Sequence, residues 1–397
     1  MVGSFDQFVD ARNCDGANCG HDQLFTSKIH VARSGYLAAC LTIFLAGFVT
    51  ADPIRIATYT TDLSRKGPGL LLRDIEGGKD PQIAAVQAVI DAGDADIISL
   101  QSIDWDLENL ALTALNEGLT NPYPFLFSRR PNTGIDSGLD LDRDGRTRGP
   151  GDALGYGEFS GRKGMAVLSR FPIDQTRVID LSQILWRDLP EAALPTWPNG
   201  DPYYDEKALS VLPVSTTGHW LVPIEAFPNR FLNLLTLHST PPVFDGIEDR
   251  NGRRNADEVR LWGHFLSGKL GMQPNDDPYV MAGNLNLDPN DGDGHRRAFY
   301  QLLADGSLQD PAPSSLGGAE AAAQGPPNQG QVGKPDLETA DWEEGEGPGN
   351  LRVDYVLPSS EITVLGSGIL WPASDRDFAN IVTTASRHRL VWVDIDF

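Results

Sequence analysis

Hydrophobic and polar positions along the chain follow strand spacing in some segments and helix spacing in others. Residues 54–60 alternate and are rich in β-branched side chains, which predicts a first strand. Residues 81–92 carry apolar side chains at helical spacing, with Gly93 just beyond, which predicts a helix. A buried strand over 96–101 and a helix over 107–119 follow. Strand, helix, strand, helix indicates an α/β layered protein.

The second half of the chain continues this mixture of strands and helices. We predict a hairpin from residues 208–213 and 219–224, and no regular structure over 131–164. Residues 311–349 are rich in Gly, Pro, Ala and Gln, which predicts a flexible surface insertion. The remaining predicted strands cover 165–169, 231–238, 280–287, 351–357 and 389–396, and the remaining helices cover 255–270 and 296–303.

The strand that begins at residue 280 ends in polar side chains. It reads V-M-A-G-N-L-N-L-D-P, so Asn284 and Asn286 are two positions apart and lie on one face. Sheets of α/β enzymes carry their chemistry at strand ends, which makes these two amides candidate site residues. The alternative is a strand that runs into an Asn/Asp turn and binds nothing.

The first 51 residues have the pattern of an export leader. Lys28 and Arg33 precede an uncharged apolar run over 36–48, and Val49-Thr50-Ala51 supplies a small-x-small cleavage site. The run has about thirteen residues, too few to span a bilayer comfortably. We therefore expect a signal peptide within residues 1–51 and an exported, periplasmic or extracellular domain over 52–397 that is not attached to a membrane.

All three cysteines lie in this leader, so the processed chain would contain none (Cys14, Cys19 and Cys40). Leu37-Ala38-Ala39-Cys40 mimics a lipoprotein box, but little apolar sequence precedes it. A lipid-modified Cys40 is the alternative to release.

The chain is strongly acidic, with a formal net charge of −23 over 397 residues. Nucleic-acid binding relies on Lys and Arg to neutralise phosphates, so stable nucleic-acid binding is not expected. A local basic cleft for a small phosphoester or another anionic ligand remains compatible with this charge.

The strand ends, taken in chain order, resemble the endonuclease/exonuclease/phosphatase superfamily, whose fold is deoxyribonuclease-I-like. The resemblance implies a four-layer α/β sandwich, in which two packed mixed sheets are flanked by helices, and Mg²⁺-assisted phosphoester hydrolysis. The matching stretches are A-T-Y-T at 57–60, S-L-Q-S at 99–102, L-H-S-T-P-P at 237–242, A-G-N-L-N-L-D-P at 282–289, R-V-D-Y-V-L-P-S at 352–359 and A-S-R-H-R-L-V-W at 385–392.

By position, the resemblance implies a site with two histidines around a phosphate. His238 and His388 would bracket the phosphate, Asn286 would hold a phosphate oxygen or a water, and Asp354 would support the site. Without the resemblance, the favoured interpretation of Asp354 is a strand-end carboxylate that accepts backbone hydrogen bonds, and that of His238 is an N-cap or a residue that packs a loop.

Four positions depart from the family pattern, in which a metal is held by carboxylates. Thr60 stands for an Asn, Ser102 for a metal-binding Glu, Asn284 for an Asp, and Arg387 for an Asp. A hydroxyl is a poor Mg²⁺ ligand, and an amide cannot take a proton from water. Two hypotheses follow: a phosphoester hydrolase with substituted metal ligands, or a non-catalytic relative that binds an anionic ligand or partner in the same cleft.

A second metal site is predicted in the loop that follows residue 131. Asp140, Asp142 and Asp144 have the 1, 3, 5 spacing of a calcium loop, with Gly145 at position 6. Position 12 is Gly151 rather than Glu, so the match is partial. The alternative is a solvated acidic loop without Ca²⁺.

Arginines are the predicted ligands for the substrate anion. Arg253 and Arg254 belong to a dense basic cluster after the 231–238 strand, and Arg387 precedes His388. Guanidinium groups suit phosphate or carboxylate. A salt-bridged surface loop is the alternative for the cluster.

Cleavage after Ala51 gives the first testable prediction. The N-terminal sequence of the secreted protein should begin at Asp52. A membrane-retained form with lipid on Cys40 would contradict this prediction.

Overall fold

The computed structural model describes residues 53–323, 325–342 and 347–397. The predicted leader, its cleavage site and the three cysteines lie outside the described residues. In the part of the chain that the structure describes, no helix is both long enough and apolar enough to cross a bilayer.

Strands and helices alternate along the described chain. The strands are β1 (Ile54–Leu63), β2 (Ile97–Ile103), β3 (Phe125–Phe127), β4 (Gly164–Ser169), β5 (Ile179–Asp180), β6 (His219–Phe227), β7 (Arg230–His238), β8 (Tyr279–Asn284), β9 (Ala340–Asp341), β10 (Asn350–Leu351), β11 (Asp354–Pro358), β12 (Thr363–Ile369) and β13 (Val391–Asp396). The helices are α1 (Leu70–Gly77), α2 (Pro81–Gly93), α3 (Leu110–Glu117), α4 (Glu206–Leu209), α5 (Arg250–Leu266), α6 (Arg297–Leu303), α7 (Leu316–Ala321) and α8 (Ala379–Ala385).

Two mixed sheets contain eleven of these strands. The first has six strands in the order β12-β13-β1-β2-β4-β3, and the second has five in the order β11-β8-β7-β6-β5. Each sheet contains one parallel pair, β1 with β2 and β7 with β8, and its other neighbours are antiparallel. The carboxyl ends of the parallel strands are therefore available as site positions in both sheets.

Side chains of successive strand residues point to opposite faces, and both faces of each sheet are apolar. Ile56 of the first sheet and Leu234 of the second belong to one buried cluster between the sheets. Ala57 faces α2 and α3 in a second cluster, and Leu235 packs with α5 and α6 in a third. The layers are helix, sheet, sheet, helix, so the predicted four-layer α/β sandwich is confirmed.

The predicted hairpin of residues 208–213 and 219–224 is wrong. The side chain of Asp205 accepts a hydrogen bond from the Ala208 backbone N–H at 2.8 Å, and this cap starts the short helix α4 instead of a strand. The hairpin partner of β6 is β7, joined by a turn in which Asn229 has φ 59°. Strands β3, β5, β9 and β12 and helices α1, α7 and α8 were not predicted either.

The predicted insertion at 311–349 supplies helix α7 and strand β9. Thr339 and Ala340 are fully buried. Its flexibility stays a prediction, but its described part includes residues packed inside the protein, not only on its surface.

The layer between the sheets gives the prediction for this fold. Leu234→Ala should destabilise the protein by about 2–5 kcal/mol, because Leu234 is fully buried and its removal leaves a cavity. Leu107→Ala is the matched control, since Leu107 is 83% exposed and its loss should change stability by less than about 0.5 kcal/mol. Urea denaturation measures both. Equal effects would contradict the assignment of Leu234 to this layer.

Candidate active site at the strand ends

Three neighbouring strands of the second sheet place polar side chains in one row. His238 of β7 is in register with Asn284 of β8, which is in register with Asp354 of β11. Alternate side chains of a strand lie on the same face. His238, Asn284 and Asp354 therefore lie on the same face as Leu234, Ala282 and Val356, which are buried between the sheets. The row faces the ends of β1 and β2, so both sheets contribute to one polar cluster.

Asp354 is the centre of this cluster, and it is fully buried. Its Oδ1 accepts a hydrogen bond from the Thr60 hydroxyl at 2.7 Å. Its Oδ2 accepts one from the Thr339 hydroxyl at 3.1 Å and pairs with His388 Nδ1 at 2.7 Å. Because an ionised carboxylate only accepts, Nδ1 of His388 carries the proton and Nε2 is left for a ligand.

The two asparagines of the 280–289 stretch both lie at the cluster. Asn284 donates from Nδ2 to the Thr60 hydroxyl at 3.1 Å, and its Oδ1 accepts the Asn286 backbone N–H at 2.6 Å. Asn286 has φ 48° and donates from Nδ2 to the Ser239 carbonyl at 2.7 Å. One donor of the Asn286 side chain is therefore used by the loop that follows His238.

Two cations and one carboxylate border the row. Arg387 donates to both carboxylate oxygens of Asp62 at 3.1 Å. Burial alone would raise the pKa of Asp62, but the charges of His388, Arg387 and Lys163 outweigh it and lower the pKa to about 2. Burial lowers the pKa of Lys163, and the charge of Asp62 opposes that shift. Asp62 is thus the anion that these cationic groups share.

His238 is neutral at ordinary pH. Burial lowers the pKa of His238 to about 3, and the charges of Lys163 and His388 add to the shift. Its Nδ1 finds no hydrogen-bond partner among the described residues. His238 can therefore offer a neutral imidazole to a ligand between the sheets.

Of the predicted anion ligands, the structure brings Arg387 to the cluster but not Arg254. Arg254 is buried and donates to the carbonyls of Val214, Leu154 and Pro213 at 3.0, 2.6 and 2.7 Å. Its predicted substrate contact is corrected to a structural one, because these carbonyls of connecting loops use its guanidinium. Arg253 lies 3.6 Å from Asp249 at the start of α5.

Sequence reasoning missed four residues of the cluster: Asp62, Lys163, Thr339 and Trp342. Asp62 continues the period-two series of residues 58 and 60, a signal that could have found it. Its φ of 53° marks an irregularity of β1 beyond Thr60. Trp342 places its ring edge-on to His388, with ring centroids 5.4 Å apart. Thr339 and Trp342 carried no local signal.

The predicted calcium loop brings its three carboxylates together. One oxygen from each of Asp140, Asp142 and Asp144 lies within 4.8 Å of the others. In the described part of the chain, this is the only group of three or more acidic, His or Cys side chains so arranged. Burial raises the pKa of Asp142, and the charges of Asp152, Asp144 and Asp140 add to the shift. Calcium binding here stays a prediction.

A four-layer sandwich of two mixed sheets, with a polar row at the ends of its central strands, defines a deoxyribonuclease-I-like fold. The family model described as Endonuclease/Exonuclease/phosphatase family matches residues 75–388, and the chain belongs to this family. Enzymes of the family commonly use divalent metal ions.

Solved structures with the same fold have low sequence identity to this chain. An endonuclease/exonuclease/phosphatase from Beutenbergia cavernae is 16% identical, with a TM-score of 0.48, over 87% of this chain and 72% of its own. A mannosyl-6-phosphatase from Bacteroides thetaiotaomicron is 14% identical, with a TM-score of 0.44, over 87% and 100%. Sphingomyelinase C from Streptomyces griseocarneus is 17% identical, with a TM-score of 0.43, over 87% and 99%. No curated protein sequence matches the chain significantly.

Calcium should raise the melting temperature of this protein, because an ion that binds only the folded state stabilises it. The stabilisation would be about 2.7 kcal/mol at a hundred times the dissociation constant. Asp142→Ala should abolish the response, whereas Asp375→Ala, at an exposed aspartate, should preserve it. A melting temperature that does not change in millimolar Ca²⁺ would identify a solvated loop without a metal site.

Proposed function

We propose that this chain binds a phosphoester, or a similar small oxyanion, at the strand-end row and does not perform Mg²⁺-dependent hydrolysis there. The observation that supports it most is the set of cationic and neutral donors around the row. Lys163 and Arg387 flank Asp62, and His388 is held by Asp354.

An oxyanion would replace the carboxylate that these groups now share. Arg387 presents two N–H donors to Asp62, the geometry that also suits two phosphate oxygens. Lys163 adds a charge that interacts with both Asp62 and His238. Since the whole chain is strongly acidic, a small ligand is favoured over a polyanion.

The residues at the strand ends do not fit the Mg²⁺ site of the family. Thr60 and Ser102 supply hydroxyls where the family supplies an amide and a carboxylate, and Mg²⁺ binding relies on carboxylate charge. Asp354 already accepts three hydrogen bonds and is buried. Asp62 is paired with Arg387. We therefore derive no step through a metal ion at this position.

A second function, phosphoester hydrolysis without the usual metal ligands, is favoured by the pair of Asp354 and His388. The 2.7 Å contact keeps the His388 proton on Nδ1, so the unprotonated Nε2 could accept a proton from an attacking water. Asn284 cannot act as the general base, so this role would fall to His388 Nε2.

We also propose that the protein acts outside the cytoplasm. The basic residues, apolar run and cleavage site of residues 1–51 support export.

Binding of inorganic phosphate tests the first proposal. Lys163→Met should weaken the affinity by about tenfold or more, because a charged hydrogen-bond donor to the anion is lost. Lys269→Met is the matched control, since Lys269 is exposed and pairs with Glu191, which does not belong to the cluster, and it should bind phosphate as the unmodified protein does. Isothermal titration calorimetry measures all three proteins. Equal phosphate affinity in both variants, or none in the unmodified protein, would contradict the proposal.

A further inference from the structure

A short segment of the predicted insertion holds the backbone on both sides of His388. The Asp341 backbone N–H donates to the Arg387 carbonyl at 2.9 Å, and the Arg389 N–H donates to the Thr339 carbonyl at 2.7 Å. Ala340 forms an antiparallel bridge with His388 between these two bonds. Residues 339–342, which we call the strap, therefore pair with the His388 segment like an added strand.

The Thr339 hydroxyl has one proton and one available direction for it. Its oxygen accepts the backbone N–H groups of Val353 at 2.9 Å and Asp354 at 3.0 Å. A hydroxyl has two acceptor positions and one donor. With both acceptor positions filled by backbone donors, the proton points at Asp354 Oδ2, 3.1 Å away. This is the same oxygen that pairs with His388.

A buried arginine, Arg389, contacts both the strap and the His388 segment. Arg389 is 2% exposed, and its Nη1 donates to the carbonyls of Ser386 at 2.7 Å and His388 at 3.3 Å. Its Nη2 lies 3.5 Å from Asp341 of the strap. The His388 segment and the strap thus share one guanidinium, which restricts their relative movement.

Trp342 of the strap also limits the orientation of the His388 imidazole. The ring of Trp342 stands at 80° to the His388 ring, in an edge-on contact. Such aromatic contacts add to the stability given by buried area alone. The imidazole is therefore restrained by Asp354 at Nδ1 and by Trp342 at its side.

We propose that Thr339 is a positioning residue, which orients His388 for the bound anion through Asp354. This inference rests on the proposed function, because it assigns the Nε2–H donor of a doubly protonated His388 to the phosphoester or oxyanion. Thr339 touches no ligand itself. Its hydroxyl fixes the carboxylate oxygen that holds the Nδ1 proton, and the rest of the strap keeps the backbone of residues 387–389 in place.

The test compares Thr339→Val, which removes the hydroxyl, with Thr339→Ser, which retains it. The first readout is the low-field proton resonance of His388 Nδ1–H, assigned by its loss in His388→Gln. The second is the dissociation constant for inorganic phosphate. Thr339→Val should lose or broaden the resonance and weaken phosphate binding by about tenfold, the effect of one hydrogen bond to a charged group. Thr339→Ser should restore both.

Thr216→Val is the matched control, because the Thr216 hydroxyl also donates to a buried carboxylate, that of Glu258, at 2.6 Å. It should lower stability without changing either readout. Should Thr339→Val fail to fold, Thr339→Ala removes the same hydroxyl with a smaller side chain.

Three results would overturn the positioning role. The first is a folded Thr339→Val protein that keeps both the His388 resonance and the phosphate affinity. The second is a Thr339→Ser protein that lacks them. The third is a Thr216→Val protein that loses them to the same extent as Thr339→Val. An unmodified protein that shows the resonance but binds no phosphate would contradict the proposed function alone. The resonance in the Thr339 variants would then still decide whether this hydroxyl positions His388.

Discussion

The buried carboxylate of Asp354 imposes the arrangement on which the rest of the site depends. Removing a charge from water costs several kcal/mol, so the protein must supply partners for both oxygens. Those partners come from three distant parts of the chain: Thr60 on β1, Thr339 in the strap, and His388 before β13. Satisfying this one group brings the two sheets, the insertion and the C-terminal segment together.

Patterns of burial within single elements were the part of the fold that sequence could predict. Strands β1, β2, β7, β8 and β13 have strong period-two or continuous apolar patterns, because both of their faces are covered. The 208–213 segment, A-L-S-V-L-P, is also mostly apolar, but capping by Asp205 starts a helical turn. A short apolar run does not distinguish a strand from a helix segment.

The candidates His238, Asn284, Asp354 and His388 came from the family resemblance, which rests on recognisable strand segments that contain or adjoin these residues. The strap was not predictable, since its composition is that of a loop and its contacts with residues 353–354 and 387–389 are long-range. Asp62 was missed because the predicted first strand ended at Thr60. Arg254 was assigned to the anion because basic clusters resemble anion sites, but carbonyls of connecting loops use its guanidinium.

The charges around the row are a physical reason why membership of the family need not imply Mg²⁺-dependent hydrolysis. Where the resemblance of the sequence implies a carboxylate, position 387 carries a guanidinium, which pairs with Asp62. A metal ion would add positive charge beside Lys163 and Arg387 with few carboxylates to offset it. An oxyanion would instead be attracted by the same groups, which is the electrostatic basis of the proposal that this chain binds a phosphoester without Mg²⁺-dependent hydrolysis.

The most direct measurement is hydrolysis of bis(p-nitrophenyl) phosphate by the unmodified protein during a titration with Mg²⁺. A variant that combines Thr60→Asn, Ser102→Glu, Asn284→Asp and Arg387→Asp serves as the positive control for a restored family site. We expect turnover near background in the unmodified protein at every Mg²⁺ concentration, and at least about a hundredfold more in the restored variant, since general acid–base groups commonly contribute that much. Robust Mg²⁺-dependent turnover by the unmodified protein, abolished by His388→Ala, would contradict this account.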